Sequence, residues 1–489
     1  MTGLEALTLG QRPKGRTALA ARWIVGHYAG RHKLLEDAEI VIDGDRVIHV
    51  GAPFAGAVAR RIDLGDVLIS PGFVDLDALS DLDTTLLTVD NGPGWATGRV
   101  WPQSYVDRGP YEMYTPEELA FQKRYAFAQL LRNGITTALP IASLFYREWG
   151  ETVDEFDAAA YAAAELGLRV WLGPAYRAGG MVCTAPDVLE PRFDEARGMQ
   201  GLADALEFAG RIGGSHGGLV QAMLSPDRVE TCTLDLLRRT MAASKDMNLP
   251  VRLHMAQGRM ERRTMQTLHG TTGPQWLARH GLLHDRLIAP HAVEAEPEDL
   301  AAYAGNGVTI AHCPLVYARD GEMLRSFRTC RDMGINIGMG TDTAPPDMVL
   351  NMAVALMMGR AAAGSDRGLT TAEVFNAATL GGADALKRPD LGRLQPGSKA
   401  DIAIFDMADS AFAPRIDPVQ TLIFGASGRV TKAVFVDGRL SMRDGQVLGL
   451  DMQTARVQAQ AQFDRLLTKY PERSYGQPSL ATMFPPTFA

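Results

Sequence analysis

The chain has 489 residues, 46% hydrophobic and 22% charged, the balance of an ordinary folded enzyme and not of a disordered or collagen-like chain. Lys+Arg 49 against Asp+Glu 57 gives a formal charge of −8 with no basic block, so no nucleic-acid partner is expected. The start lacks a signal-peptide core, no run of about 18 apolar residues occurs, and Cys183, Cys232, Cys313 and Cys330 form no CxxC pair. These features lead us to expect a cytoplasmic protein with no membrane partner and no disulfide framework.

In chain order, residues 18–68 read as short strands: ALAARWIV, then AEIVIDGDRVIHVG with an Asp43-Gly44 turn, then RRIDLGDVLIS. From Pro71 to about residue 384 apolar strands alternate with Ala- and Leu-rich helical windows, which predicts parallel βα units. The strand windows are GFVDLDAL (72–79), GITTALPIAS (134–143), LRVWLGPAY (168–176), GLVQAMLS (218–225), VRLHMA (251–256), LIAPHAV (287–293), VTIAHCP (308–314) and INIGMGTD (335–342). Eight in succession predict an α/β fold of the (β/α)₈ TIM-barrel type. After residue 390 strands return in DIAIFD, TKAVFVDGRL and GQVLGL, with Asp437-Gly438 as a hairpin turn. The expected domains are therefore a β-sandwich from 1–69 and 385–450, a barrel over 70–384, and a C-terminal helix and tail over 451–489. The helix is placed at about 452–470. The tail PSLATMFPPTFA is apolar, and we expect it to pack on the surface or on another subunit of a homo-oligomer.

Reacting groups of a parallel barrel sit at the C-terminal ends of its strands, where the βα loops converge. His254, His291 and His312 fall at the ends of the fifth, sixth and seventh windows, and Asp342 ends the eighth. Any one of these histidines is as readily a hydrogen-bonded structural group. Together they point to a site, and imidazoles with a carboxylate suit Zn²⁺, Fe²⁺ or Mn²⁺. The loop after the first window gathers Trp95, Trp101, Tyr105, Tyr111 and Tyr114, a lid that stacks on a flat substrate or else a subunit interface. Ser143, Tyr176, Arg177 and Gln221, near the ends of windows two to four, are further substrate-binding candidates. Asp81 and Asp83 are expected in a loop facing water. Cys313 is read as a small buried residue and MVLNMAVALMMG as helix core.

RLHMAQ, APHAV, AHCPL and GMGTDTAP, in that order, resemble the fifth- to eighth-strand signatures of the amidohydrolase superfamily, in its cytosine-deaminase and triazine-hydrolase branch. SPGFVDLDA, NGITTAL, LGRLQPGSKADIAIFD and VFVDGR resemble the flanking segments, so the likeness runs from about residue 18 to 450. Two departures stand out. Asp77-Ala78-Leu79 replaces the His-x-His pair of strand one, and Gln257 replaces the Glu of His-x-x-Glu on strand five, which shuttles a proton in deaminases.

The resemblance implies a hydrolase of non-peptide C–N bonds (amide, urea, amidine or amino-heterocycle) acting on a small nitrogenous substrate with an activated water. It implies one divalent metal on Asp77, His254, His291 and Asp342. Asp342 would take the water's proton, His291 would steady the oxyanion, and Gln257 would hydrogen-bond the substrate. His312 would join Trp95, Trp101, Tyr105, Tyr176, Arg177 and Gln221 in binding it. With fewer imidazoles than the family's set, manganese or iron competes better with zinc. Three alternatives stay open: a metal-free lyase or isomerase, a non-catalytic small-molecule-binding descendant, and a bland Asp77 that merely salt-bridges Arg177.

Overall fold

The structure is a computed structural model and describes residues 3–89, 92–94, 97, 100–141 and 150–488. Five strands open the chain: β1 (Thr17–Tyr28), β2 (Arg31–Asp43), β3 (Arg46–Gly51), β4 (Arg60–Asp63) and β5 (Val67–Pro71). Among the strands that follow, eight belong to one sheet: β6 (Phe73–Ala78), β7 (Ile135–Pro140), β8 (Arg169–Leu172), β9 (Val220–Ala222), β10 (Val251–Arg252), β11 (Leu287–Pro290), β12 (Thr309–His312) and β13 (Ile337–Met339). Each lies inside one of the eight sequence windows. They form one parallel eight-stranded sheet in the order β9-β8-β7-β6-β13-β12-β11-β10. Between its two outermost strands, Leu224 bridges Val251 in parallel sense, with Leu224 N to Pro250 O and Arg252 N to Leu224 O both at 3.0 Å.

The chain then makes β14 (Ile402–Asp406), β15 (Thr431–Val436), β16 (Arg439–Arg443) and β17 (Gln446–Val447). These join the first five in one sheet, β17-β16-β15-β14-β5-β1-β2-β3, with β4 on β1. The β14–β5 pairing, Ile402 to Pro71 through Asp406 to Val67, is the seam between the two ends of the chain. The β15–β16 hairpin turns through Asp437 and Gly438, both at positive φ. The β2–β3 turn is Gly44-Asp45, one residue later than the Asp43-Gly44 expected, because Asp43 still pairs with Arg46.

Local chemistry explains the helices between parallel strands. Thr115 and Glu118 form a capping box at the start of Pro116–Arg132. Thr152 caps Val153–Leu166, and Gly167, left-handed, ends it. One face of the sheet meets these helices. The other gathers Val74, Leu76, Leu139, Trp171, Met223, Ile288 and Ala311, capped by Leu386 and Leu391.

The two sheets are locked together by Arg169 of β8, which is fully buried. Its Nε and one Nη donate to the two Asp401 oxygens at 3.1 and 3.2 Å, and the same Nη reaches Asp437. Asp437 also meets Lys399 at 3.0 Å.

The C-terminal helix runs Met452–Lys469. Beyond it the tail packs on the loop after β6: Tyr470 and Met483 join Leu86, Met113, Tyr114 and Leu119 in one apolar cluster. Asp81 and Asp83, expected in water, are buried, and Asp83 accepts from the Tyr114 hydroxyl at 2.9 Å.

Candidate metal and catalytic site

The C-terminal ends of the parallel strands surround a cavity of about 1020 Å³. His254 and His291 line it, and with the buried Asp77 beside them each turns one donor atom toward the others, all within 4.8 Å of one another. Asp77 Oδ2 lies 3.9 Å from His254 Nε2 and 3.9 Å from His291 Nε2, and Asp342 Oδ2 is 4.0 Å from His291 Nε2.

Backbone irregularity aims these groups. The β6–β7 register shifts between Asp75 and Ala78. His291, Ala292 and Asp342 all hold positive φ, at 76°, 55° and 58°. Such conformations are costly for residues other than glycine and persist where neighbours over-determine them. Here His291 N donates to Ala311 O at 2.8 Å and Asp342 N to Asp77 O at 2.6 Å. Asp75, wholly buried, accepts from Thr341 N at 3.0 Å, Thr341 Oγ1 at 2.6 Å and Asp77 N at 3.2 Å, so it pins both aspartate-bearing segments.

The electrostatics suit ligation. His254 Nδ1 is 2.9 Å from the Asp227 carbonyl, so Nδ1 carries the proton and Nε2 keeps its lone pair toward Asp77. Burial, reinforced by Arg228, His291 and Arg252, holds His254 well below the usual imidazole range, and burial and Arg228 do the same for His291. Both rings are neutral, as a metal requires. Burial pushes the Asp77 carboxyl up and that of Asp342 up to about 7, against the pull of nearby arginines.

Asp77 Oδ1 and both ring nitrogens of His291 are buried without a hydrogen-bond partner among the described residues. Unsatisfied buried acceptors are costly, and a cation would engage an Asp77 oxygen and His291 Nε2 while lowering the raised carboxyl pKa values. Arg252 opposes this, with its Nε 3.7 Å from Asp77 Oδ1. Its Nη1, however, is held by the Leu139 and Pro140 carbonyls at 3.1 and 2.8 Å. The donor set fits a divalent metal.

Of the other residues expected in the site, Gln257, Trp101 and Arg177 line the same cavity. The Arg177 guanidinium lies 4.5 Å over the Trp101 ring and 3.8 Å from Asp227, so it does not pair with Asp77, whose arginine is Arg252. Four others are placed elsewhere. Tyr105 packs behind Trp101, its ring 6.1 Å from Tyr111. The Tyr176 hydroxyl is 2.9 Å from Thr240 Oγ1, on the helix side. Gln221 sits in the middle of β9, donating to Gly218 O at 3.0 Å. His312 lines a separate small cavity with Leu324 and Phe327. Strand alternation is the cause for His312: Ala311 and Cys313 face the cluster, Cys313 Sγ lying 3.6 Å from Asp77 Oδ2, so the residue between them faces the helices. Trp95 and Ser143 lie outside the described residues.

Sequence reasoning missed Arg228, Arg252 and Tyr317. The signal for Arg252 was present, since it lies two residues before His254 and so shares its face of the strand. Arg228 sits in a loop and Tyr317 on the short helix Pro314–Arg319, with no pattern to mark either.

Burial alone lowers the His312 imidazole to about 4 from 6.5. Its folded form is neutral, so its contribution to stability is complete above about pH 6.5 and declines as pH falls toward 4, where only the unfolded chain takes up the proton. Denaturant unfolding across that range should show this loss, and His312→Gln should make it shallower, the remainder coming from other buried histidines such as His254, His284 and His291.

Comparison with known proteins fits this geometry. Residues 69–441 match the Amidohydrolase family. A 5-methylthioadenosine/S-adenosylhomocysteine deaminase of Pyrococcus horikoshii is 29% identical over 420 residues, 85% of this chain and 92% of the relative. One from Moorella thermoacetica is 26% identical over 431 residues, 86% and 93% of the two chains. Among solved structures, an adenosine deaminase from Xanthomonas campestris with bound zinc is 21% identical with a TM-score of 0.74, covering 92% of this chain and 98% of that one. The atrazine chlorohydrolase of Arthrobacter aurescens complexed with zinc is 22% identical with a TM-score of 0.73, covering 91% and 99%. These structural likenesses speak to the fold.

Proposed function

The chain belongs to the amidohydrolase family, and from that premise we propose that it hydrolyses a non-peptide C–N bond in a small nitrogenous molecule. The observation that carries the reading is the convergence of Asp77, His254 and His291 within 4.8 Å, with Asp342 beside His291, at one cavity. The relatives' deaminase names favour an amino-substituted heterocycle, a purine nucleoside above all.

Asp77, His254, His291 and Asp342 would hold a divalent ion, zinc, iron or manganese. Such an ion supplies Lewis acidity and brings the pKa of a coordinated water to about 7. Asp342, beside His291 in the cluster, accepts the water's proton as the water oxygen bonds to the substrate carbon. The same proton then passes from Asp342 to the departing nitrogen as the C–N bond breaks, giving the hydroxyl or oxo product and an amine or ammonia. His291 Nε2 faces the cluster, which favours ligation over the oxyanion role expected for it. Trp101, backed by Arg177, offers a flat face against a ring.

We read the eight parallel strands as a closed (β/α)₈ barrel over 70–384, supported by the Leu224–Val251 bridge. Segments 1–69 and 385–450 form a sandwich around the apolar cluster that includes Leu19, Ile40, Ile402 and Phe435, with the helix and tail of 451–489 appended. We also propose a homo-oligomer in the cytoplasm. Among the described residues no helix is long and apolar enough to cross a membrane.

The test is release of ammonia or amine from a panel of 5′-methylthioadenosine, S-adenosylhomocysteine, adenosine, an amino-triazine and simple amides and ureas. The reading expects turnover of at least one, with purine nucleosides preferred, and turnover of none would reject it.

A further inference from the structure

Resting on that hydrolytic reading, we propose that Tyr317 is a catalytic hydrogen-bond donor, its hydroxyl proton directed at the reacting group by an Arg228–Gln257–Tyr317 relay of fixed polarity. Tyr317 lies in the short helix Pro314–Arg319 that follows β12. Arg319 of that helix donates to Thr343 Oγ1 at 2.9 Å and Ala344 O at 2.7 Å, which ties the helix to the segment bearing Asp342. The Tyr317 ring stands edge-on to His291, centroids 4.8 Å apart, and lines the cavity with Asp342, Gln257 and Arg228.

The polarity follows from donor inventory. A guanidinium has donors only, and Arg228 Nη1 donates to Gln257 Oε1, so the amide oxygen must face the arginine. In the relay the Gln257 NH₂ that remains donates to the phenol oxygen of Tyr317, which lines the same cavity. With the phenol oxygen accepting from the amide, its own O–H points into the cavity that it shares with Asp342. Burial keeps the phenol protonated.

As water adds to the substrate carbon, negative charge gathers on the oxygen or ring nitrogen, and a donor already oriented there needs no reorganisation. No proton leaves Tyr317. Gln257, which cannot titrate, thus acts as a positioning residue for Tyr317.

Three samples test this: the parent, Tyr317→Phe and Gln257→Glu, each assayed for bound metal and for kinetics on whichever panel substrate the parent turns over. Tyr317→Phe should lower kcat by about a hundredfold, with KM within about threefold and metal content unchanged. Gln257→Glu should also lower kcat, because a carboxylate accepts from both neighbours and draws the phenol proton out of the cavity. An undiminished kcat in Tyr317→Phe, or a faster Gln257→Glu, would overturn the relay. Silence of the parent on the whole panel is a failure of the hydrolytic reading alone. A crystal structure of the zinc-loaded parent judges the relay independently: Gln257 Nε2 within hydrogen-bond distance of Tyr317 Oη is expected, and Tyr317 turned out of the cavity overturns it.

Discussion

Asp342→Asn should lower turnover by about 10²–10⁴-fold while leaving the protein folded. The substitution keeps the shape of the side chain but removes the only charge it can trade. Asparagine tolerates the left-handed backbone that Asp342 adopts at φ 58°, so the loop should not rearrange. The amide has no place for the water's proton and none to return to the leaving nitrogen. Steady-state kinetics beside a melting curve separate this from unfolding, and a variant that retains parental turnover would remove Asp342 as the base.

The largest stability effect is expected at Arg169. Replacing it by Met should cost about 3–5 kcal/mol, because Asp401 and Asp437 remain buried with their main counter-charge gone. Lys399 still reaches Asp437, but among the described residues Asp401 keeps only the Asp437 backbone N–H, at 2.7 Å. Adding Asp401→Asn to the variant should recover part of the loss, since it removes the stranded charge. Denaturant unfolding of the single and double variants measures both steps.

The fold was legible because buried parallel strands are short apolar runs bounded by breakers, and all eight windows contain a strand of the parallel sheet. Strand parity was less legible. His312 reads as a strand-end histidine like His254 and His291, yet it faces the helices, because one residue of offset reverses the face. Asp81 and Asp83 read as solvent-facing loop residues since nothing local shows that they end up buried, Asp83 against the Tyr114 hydroxyl 31 residues along the chain. Of the site, the residues that end strands were visible in sequence. Arg228 and Tyr317 were not, because their roles come from partners such as Gln257, 29 residues from Arg228 along the chain.

The most direct test of the metal-dependent site is elemental analysis of purified protein before and after chelation, with turnover measured on the same samples. The parent should carry about one divalent ion per chain, lose turnover with it, and regain turnover on addition of zinc or manganese. Asp77→Asn, which exchanges an anionic oxygen ligand for a neutral one, should bind the ion more weakly. Full turnover in metal-free parent, with Asp77→Asn altering only substrate affinity, would contradict the account.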